Sequence, residues 1–207
     1  VWCDWFLTFN SNSRIMRQPT AATPREALSI VLAGGIKYNV WNKLVARSLY
    51  TDSKIRFPEG YSMGEDMTMI KLLSQAKSVG HVAKPLYHYI RTNSGAMTQI
   101  YSDAHLKQLL KNTTDICYFL RNQIIDNSIE REISWFKLNV KLPFLFSGRQ
   151  ADMVLWKKWF PESNRDIMSN HIQALRTRIL QWTAAHNLSL VNRAYNILVY
   201  KFIYGIL

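Results

Sequence analysis

The chain has 207 residues, of which 48% are apolar and 13% aromatic, so it can form a packed core and is too apolar to be a disordered chain. Its 26 basic and 14 acidic residues give a formal charge of +12, which favours phosphate-bearing partners such as nucleotides, nucleic acid or anionic lipid. The cations are scattered and accompany no helix-turn-helix, zinc-finger or RNA-recognition motif, so we do not expect nucleic-acid binding.

Cysteine and histidine usage indicates neither a metal site nor a disulfide framework. Cys3 and Cys117 lie far apart, and the five histidines form no HxH or HExxH pattern. Two isolated cysteines are typical of a reduced compartment, so we expect a cytoplasmic location. The longest apolar runs are shorter than the ~20 residues that a membrane-spanning helix needs.

The start of the chain is unusual. Residues 1–7 form an apolar run, whereas chain termini are usually polar and loosely held. We therefore expect a fragment of a longer protein, in which residues 1–9 form a strand that lacks its natural neighbour. Because an open apolar strand edge pairs with other chains, we also expect self-association.

Residues 1–101 mix strand and helix signals. The polar stretch after the first strand is typical of a loop, with a short return strand at 15–16 as an option. Thr23, Pro24 and Glu26 fit the N-cap, first and third positions of a helix. The remaining predicted elements are a short strand or turn at 40–46, a short helix at 47–54, strands at 79–82 and 86–90, and a polar loop at 91–98.

Residues 102–207 carry only helix signals. Ser102 and Asp103 begin a helix whose apolar positions recur at helical spacing up to Ile124. The sequence thus predicts an α+β fold in two domains, one mixed at 1–101 and one all-helical at 102–207. Further helices in the second domain are predicted at about 128–145, 151–160, 164–186 and 188–205.

The adjacent carboxylates Glu65 and Asp66 stand at the start of a predicted helix, after a loop that contains Pro58, Gly60 and Gly64. Acidic first turns are common, because free N–H groups and the helix dipole favour the ionised form of a carboxyl. An ordinary capping role is therefore one interpretation. The other is catalytic, since an ionised carboxylate in a cleft can accept a proton, and Asp66 would then be a general base.

Trp41, Asn42 and Lys43 place an aromatic ring, an amide and an ammonium group in consecutive positions. Sugars bind against aromatic rings, and a lysine meets phosphate as a point charge. The segment therefore suits a sugar-phosphate ligand, although Trp41 fits a core position equally well.

Tyr87, His88 and Tyr89 lie on a predicted strand, where alternation puts the two tyrosines on one face and His88 on the other. The three side chains therefore cannot all line one site, and His88 alone fits a structural role better. Arg91 and Ser94 follow on a donor-rich polar loop that suits phosphate binding.

Residues 165–207 contain five basic residues and one acidic residue, together with aromatic residues that include Trp182 and Tyr195. Basic amphipathic helices with such rings lie on anionic membrane surfaces. The plainer alternative is a helical bundle with a solvated basic face.

The order of these segments resembles the family-two glycosyltransferases of bacterial polysaccharide synthesis, which have the nucleotide-sugar-binding GT-A fold. The resemblance covers about residues 1–101. Its parts are the hydrophobic strand ending in Cys-Asp, WNKL at 41–44, IRFPEG at 55–60, GED at 64–66 and PLYHYIRTNSGAMT at 85–98.

The resemblance implies an inverting glycosyltransferase that moves a sugar from a nucleotide-sugar donor to a glycan or lipid-linked acceptor. Asp66 would be the catalytic base, with Glu65 beside it. The other implied site residues are Trp41 and Lys43 on the acceptor side and Arg91 and Ser94 near the diphosphate.

In such enzymes an Asp-x-Asp motif in the N-terminal half holds a divalent metal, Mg²⁺ or Mn²⁺. No Asp-x-Asp occurs in the 207 residues, so we expect the metal site and the nucleotide-binding strands to precede Val1 and the isolated chain to be inactive. The implied location is cytoplasmic, peripheral to the inner membrane face where residues 165–207 bind lipid. A non-catalytic helical module for protein interaction or membrane-surface attachment is the alternative from another class.

Overall fold

The computed structural model describes residues 1–9, 12–92, 102–124, 129–146 and 149–198. These residues form a mixed α+β chain, as the sequence predicts. The strands are β1 (Trp2–Thr8), β2 (Ser13–Met16) and β3 (His81–Ile90). The helices are α1 (Pro24–Leu32), α2 (Arg47–Ser53), α3 (Thr68–Ser74), α4 (Asp103–Gln123), α5 (Ile129–Lys141), α6 (Pro143–Phe146), α7 (Gln150–Lys158), α8 (Leu175–Ala185) and α9 (Ser189–Leu198).

The sheet has the order β2-β1-β3, so β1 is its central strand. β2 runs antiparallel to β1, with Trp5 opposite Met16, and β3 runs parallel to it, with Phe6 opposite His88. The expectation that residues 1–9 lack a neighbour is therefore wrong, because the return strand and the later strand occupy both of its edges. β1 also continues to Thr8, well past the Cys-Asp pair at its start.

β3 is one strand of ten residues, where the sequence predicts two short ones. Pro85 lies within it, opposite Asp4, and the register between β1 and β3 shifts on both sides of this pair. Proline is tolerated here because β3 is an outer strand, and the shifts accommodate the missing N–H donor.

The start of α1 has the predicted capping arrangement. The hydroxyl of Thr23 accepts a hydrogen bond of 3.1 Å from the backbone N–H of Glu26. The carboxylate of Glu26 accepts one of 2.7 Å from the backbone N–H of Ala22. These bonds satisfy donors that a helix start otherwise leaves free, so the local sequence alone is enough to locate this helix.

The described residues form two compact units, the first from Val1–Val31 and Gly35–Ile129, the second from Leu32–Gly34 and the chain from Glu130 onward. In the first unit, Ile55, Met69 and Leu72 form a core cluster. The predicted division at 101/102 thus falls inside the first unit, because α4 packs against α3 there.

All regular elements among the described residues of the second unit are helices, apart from turns between them, and Phe136 and Trp156 are fully buried. The single helix predicted at 164–186 is wrong. Side chains in the turns before α8 bond to the local backbone, which competes with helix formation. The hydroxyl of Ser169 donates to the carbonyl of Asp166 at 2.9 Å, and Asn170 Oδ1 accepts from the N–H of Gln173 at 3.3 Å.

Lys141 is fully buried in the second unit and holds the end of α7 in place. Its ammonium donates to the carbonyls of Trp159 and Phe160, at 3.0 and 3.3 Å, and to Asn164 Oδ1 at 2.7 Å. It also lies 4.2 Å from the ring centroid of Trp156. Burial lowers the pKa of Lys141 to about 8.

Candidate functional site

Asp66 lies at the start of the helical segment that the sequence predicts. Gly64 has φ +78° and turns the chain into a 3₁₀ turn, Glu65–Met67, which continues directly into α3. The backbone N–H of Met67 donates to the carbonyl of Gly64 at 3.1 Å. The carboxylate of Asp66 is half-buried, so it is accessible without being fully solvated.

The loop that leads to Asp66 is held by α4. Asn112, which is buried, donates from Nδ2 to the carbonyl of Met63 at 2.6 Å. Gln108 Oε1 accepts from the backbone N–H of Ser62 at 3.1 Å. Sequence reasoning missed both residues because they interrupt the apolar stripe of α4, although polar side chains four positions apart on one helix face are a usable signal.

Burial and, after it, the neighbouring charge of Glu65 raise the pKa of Asp66 to about 7. The charge of Lys43 and the backbone N–H groups of Asp66 and Met67 act in the opposite direction but are outweighed. The helix start thus favours the ionised form through its N–H groups, as expected, but burial and Glu65 outweigh this effect. A carboxyl that titrates near 7 suits a general base at neutral pH.

Lys43 is brought within electrostatic reach of Asp66. Burial lowers the pKa of Lys43 to about 8, while the charges of Asp66 and Cys3 raise it. Its ammonium donates to the carbonyl of Asn39 at 2.7 Å, to Asn42 Oδ1 at 2.8 Å and to the carbonyl of Lys37. An ammonium has three donors, so the geometry favours a positioning role for Lys43 over direct binding of an acceptor.

The segment that carries Lys43 is fixed to the start of β1. Asn42 is buried, and its Nδ2 donates to the carbonyl of Cys3 at 3.1 Å, whose N–H donates back to the carbonyl of Asn42 at 3.0 Å. Lys43 also forms an isolated antiparallel bridge with Trp2. These contacts accompany a hydrogen-bonded turn at 40–43, in which the N–H of Lys43 donates to the carbonyl of Val40 at 3.1 Å, so of the predicted strand or turn the structure has the turn.

Trp41 is the centre of an aromatic cluster. Its ring stacks with those of Tyr87 and Tyr89, at centroid distances of 4.6 and 5.2 Å, and meets the edge of Trp5 at 5.2 Å. His88 instead stacks on Phe6 at 4.5 Å. The predicted separation of the two tyrosines from His88 is thus confirmed. Trp41 is half-buried and Tyr87 exposed, so the cluster presents aromatic surface to solvent.

Arg91 lies just past the end of β3, where its backbone N–H donates to the carbonyl of Thr8 at 2.9 Å. Its side chain is exposed. In sequence, Arg91 is two positions after Tyr89, which belongs to the aromatic cluster. Ser94 lies outside the described residues.

A cavity of about 550 Å³ lies elsewhere in the first unit, between residues of α1, α2 and α3. Val31, Leu49 and Leu72 are among its predominantly apolar lining residues. Of the candidate site residues that the structure describes, only Lys43 lines it. We do not assign it to the diphosphate, because its lining is predominantly apolar.

Among residues 1–9, 12–92, 102–124, 129–146 and 149–198, no group of three or more His, Cys, Asp or Glu side chains could hold a metal ion. We therefore assign no described residue to a metal. In the same part of the chain, no helix has the length and apolar character needed to cross a membrane.

No protein-family model, curated protein or solved structure matches the chain.

Proposed function

We propose that this chain provides the acceptor side and the catalytic base of an inverting glycosyltransferase of the GT-A type. Its donor would be a nucleotide sugar and its acceptor a glycan or lipid-linked sugar, as in polysaccharide biosynthesis. The proposal rests on one observation above all. Asp66 is half-buried at the start of a helix with a pKa raised to about 7, and Lys43 lies within its electrostatic field.

In the proposed reaction Asp66 accepts the proton of an acceptor hydroxyl. The acceptor oxygen forms a bond to the anomeric carbon of the donor sugar as the bond from that carbon to the nucleoside diphosphate oxygen breaks. Configuration at the anomeric carbon inverts because attack and departure are on opposite faces. The proton stays on Asp66, and the diphosphate leaves with the bonding electron pair.

The pKa of Asp66 supports this role. A base with an ordinary aspartate pKa of 3.8 takes up a proton weakly at neutral pH. Raising the pKa to about 7 strengthens the base while leaving roughly half of it ionised at that pH. Glu65, half-buried beside it, contributes through its charge and is a positioning residue in this scheme.

The aromatic cluster supports a sugar ligand on the acceptor side. The rings of Tyr87 and Tyr89 each stack on that of Trp41, and Tyr87 is exposed while Trp41 and Tyr89 are half-buried. Rings of this kind pack against the apolar face of a pyranose. Lys43 anchors the segment on which Trp41 stands, and its charge acts on Asp66.

Two parts of the proposed site, the metal-holding motif and the diphosphate contact of Ser94, are not supplied by described residues. The 207 residues contain no Asp-x-Asp, so a metal-holding motif of that kind would have to come from chain outside this sequence. Arg91 and Ser94 are proposed to meet the diphosphate on the loop after β3. When a divalent metal is bound in such enzymes, it supplies charge stabilisation to the leaving diphosphate.

The test is turnover of a panel of nucleotide sugars by the protein in the longest form that its gene encodes. Asp66→Asn is compared with Glu59→Gln, which neutralises an exposed carboxylate in the same loop. We expect Asp66→Asn to lower turnover by a factor on the order of 10²–10⁴, with donor affinity nearly unchanged, because a general base contributes about that much.

Glu59→Gln should retain wild-type turnover. Near-normal turnover in Asp66→Asn removes Asp66 from the mechanism. A wild-type protein that turns over none of the donors, in the presence of Mg²⁺ or Mn²⁺, contradicts the transferase proposal itself.

A further inference from the structure

An apolar stripe crosses the surface of the second unit, beginning in the turns before α8 and continuing along that helix. Its members are large apolar side chains that are each 41–55% exposed. Single exposed apolar residues are common, but a contiguous set indicates a surface that another molecule covers. We call it the α8 stripe, and it consists of Met168, Ile172, Leu175, Ile179 and Trp182.

Three members of the α8 stripe lie on one face of α8. Leu175, Ile179 and Trp182 are separated by four and three positions, the spacing of one helix face. Met168 and Ile172 lie in the turns that precede the helix. Arg178, on the same face, donates from Nη1 to the carbonyl of Met168 at 2.9 Å, which fixes the preceding turn beside the helix.

The charged residues of α8 itself have one sign. The helix carries Arg176 and Arg178 and no acidic residue, and the sequence from 167 to 207 contains four basic residues and no acidic one. Arg176 is exposed next to the stripe, and Arg178 is half-buried between Leu175 and Trp182. The nearest acidic residue in the preceding turns, Asp166, is half-buried. An apolar helix face with an exposed cation complements a partner that combines hydrocarbon with negative charge.

We propose that the α8 stripe docks on the surface of an anionic lipid bilayer. The apolar side chains enter the interfacial layer, and Arg176 lies among the phosphate headgroups. Trp182 suits this position because an indole ring combines an apolar body with a polar N–H. A second copy of the chain is disfavoured as the occupant, because a two-fold partner presents the same surface with the same cations.

This inference goes beyond the transferase proposal and does not depend on it. It is tested with purified chain and no sugar donor, so a failed docking surface leaves the role of Asp66 unaffected. Equally, an inactive base leaves the docking surface unaffected.

The experiment is co-sedimentation with vesicles of phosphatidylcholine alone and of phosphatidylcholine with phosphatidylglycerol, at low and high salt. We expect binding to the anionic vesicles only, weakened by salt because the cations are screened. Ile179→Glu should reduce the bound fraction about tenfold or more, since it places a charge where an apolar side chain enters the lipid layer in the bound state. Leu175→Glu, an independent change in the stripe, should do the same.

Matched controls separate the stripe from general charge. Val154→Glu places the same side chain at an exposed apolar position on α7, and Lys157→Glu changes the net charge as Arg176→Glu does. We expect Arg176→Glu to reduce binding about tenfold at low salt and the two α7 variants to retain most of it. Quenching of tryptophan fluorescence by brominated lipid should be largely lost in Trp182→Phe.

Several outcomes overturn the proposal. They are equal binding to neutral and anionic vesicles, no binding at low salt, and equal losses from the α7 controls. A concentration-dependent dimer that Ile179→Glu abolishes, without vesicle binding, assigns the stripe to a second copy instead. Far-ultraviolet circular dichroism of both stripe variants verifies that any loss of binding occurs in folded protein.

Discussion

The ammonium of Lys43 and the carboxyl of Asp66 shift each other's pKa in opposite directions. The charge of Lys43 lowers the pKa of Asp66, and the charge of Asp66 raises that of Lys43. Burial acts against both charges and is the larger effect at each residue, which leaves Asp66 near 7 and Lys43 near 8. Removing the charge of a neighbour of Asp66 should therefore shift the pKa of Asp66 in a predictable direction.

The first prediction concerns the direction in which the pKa of Asp66 shifts. Lys43→Met should raise the pKa of Asp66 further above 7, because an attractive charge is lost. Glu65→Gln should lower it, because a repulsive charge is lost. The measurement is a pH titration of the Asp66 side-chain carboxyl by carbon NMR in the chain as it stands. Shifts of the same sign in the two variants would contradict the electrostatic account.

The second prediction concerns how turnover depends on the ionisation of Asp66. Because the base must be ionised, turnover of the full-length protein should rise with pH through about 7 and then level off. Glu65→Gln should move this rise to lower pH, and Glu59→Gln should leave it in place. A profile without a rise near neutral pH, at saturating donor and acceptor, would argue against Asp66 as the titrating group.

The third prediction concerns Lys141, whose pKa falls from 10.5 to about 8 on folding. Between these values the unfolded chain binds more protons than the folded one, so the free energy of unfolding should increase as pH rises from 8 to 10.5. A pKa shift of this size corresponds to an increase on the order of 3 kcal/mol in the free energy of unfolding.

The measurement is denaturant unfolding at a series of pH values. Lys141→Met should lack the increase, whereas Lys157→Met, at an exposed position, should keep it. Equal pH dependence in wild type and Lys141→Met would mean that the three acceptors around the ammonium hold its pKa near the ordinary value.

The fourth prediction compares two glycines in the loop before Asp66. Gly64 and Gly60 have φ of +78° and +73°, so alanine is strained at both. A Cβ at Gly64 would lie 3.1 Å from Asn112 Nδ2, whereas one at Gly60 meets nothing within 4 Å. Gly60→Ala should therefore cost about 1 kcal/mol, for the strain alone.

Gly64→Ala should cost about 1–2 kcal/mol more, because it also displaces the amide that holds the carbonyl of Met63. Denaturant titration of both variants measures the free energy of unfolding and shows whether Gly64→Ala costs more than Gly60→Ala. Equal costs would mean that Asn112 moves aside without losing its hydrogen bond.

The parts of this fold that follow from the sequence are those with local causes. Thr23 and Glu26 place the start of α1 through bonds between neighbouring residues, and Ser102 caps α4 in the same way, accepting from the N–H of His105. The alternation along β3 places Tyr87 and Tyr89 together against Trp41 because a strand has a period of two.

The parts that do not follow depend on residues distant in sequence. The net pKa shift of Asp66 depends on its burial and on Lys43, neither of which its own helix start reveals. The continuity of β3 through Pro85 depends on its position at the outside of the sheet. The loop before Asp66 is held by Asn112, which comes from a helix that the sequence assigns to a separate domain.

The last prediction concerns a buried pair that sequence patterns do not reveal. Asp4 on β1 and His81 on β3 are joined by a contact of 2.9 Å between Oδ1 and Nε2, and both side chains are buried. Asp4 Oδ1 also accepts from the backbone N–H of Gln18 at 2.8 Å. Within the described residues, His81 Nδ1 is buried without a hydrogen-bond partner.

This geometry favours Nε2 as the donor to Asp4 Oδ1, because a hydrogen on Nδ1 would be a buried donor without an acceptor. The pair thus joins the central strand to its parallel neighbour. His81→Leu should destabilise the chain by about 1–3 kcal/mol, since it leaves a buried carboxylate with one donor fewer. Asp4→Leu should have a comparable effect, and the double variant should cost less than the two single costs added together.

Denaturant unfolding of the four proteins gives the coupling between the two residues. His88→Leu is the matched control, because His88 lies on the same strand but is exposed. Its cost should stay within about 0.5 kcal/mol. Additive effects of His81→Leu and Asp4→Leu would mean that each residue stabilises the sheet through its own packing, and that the contact between them contributes nothing.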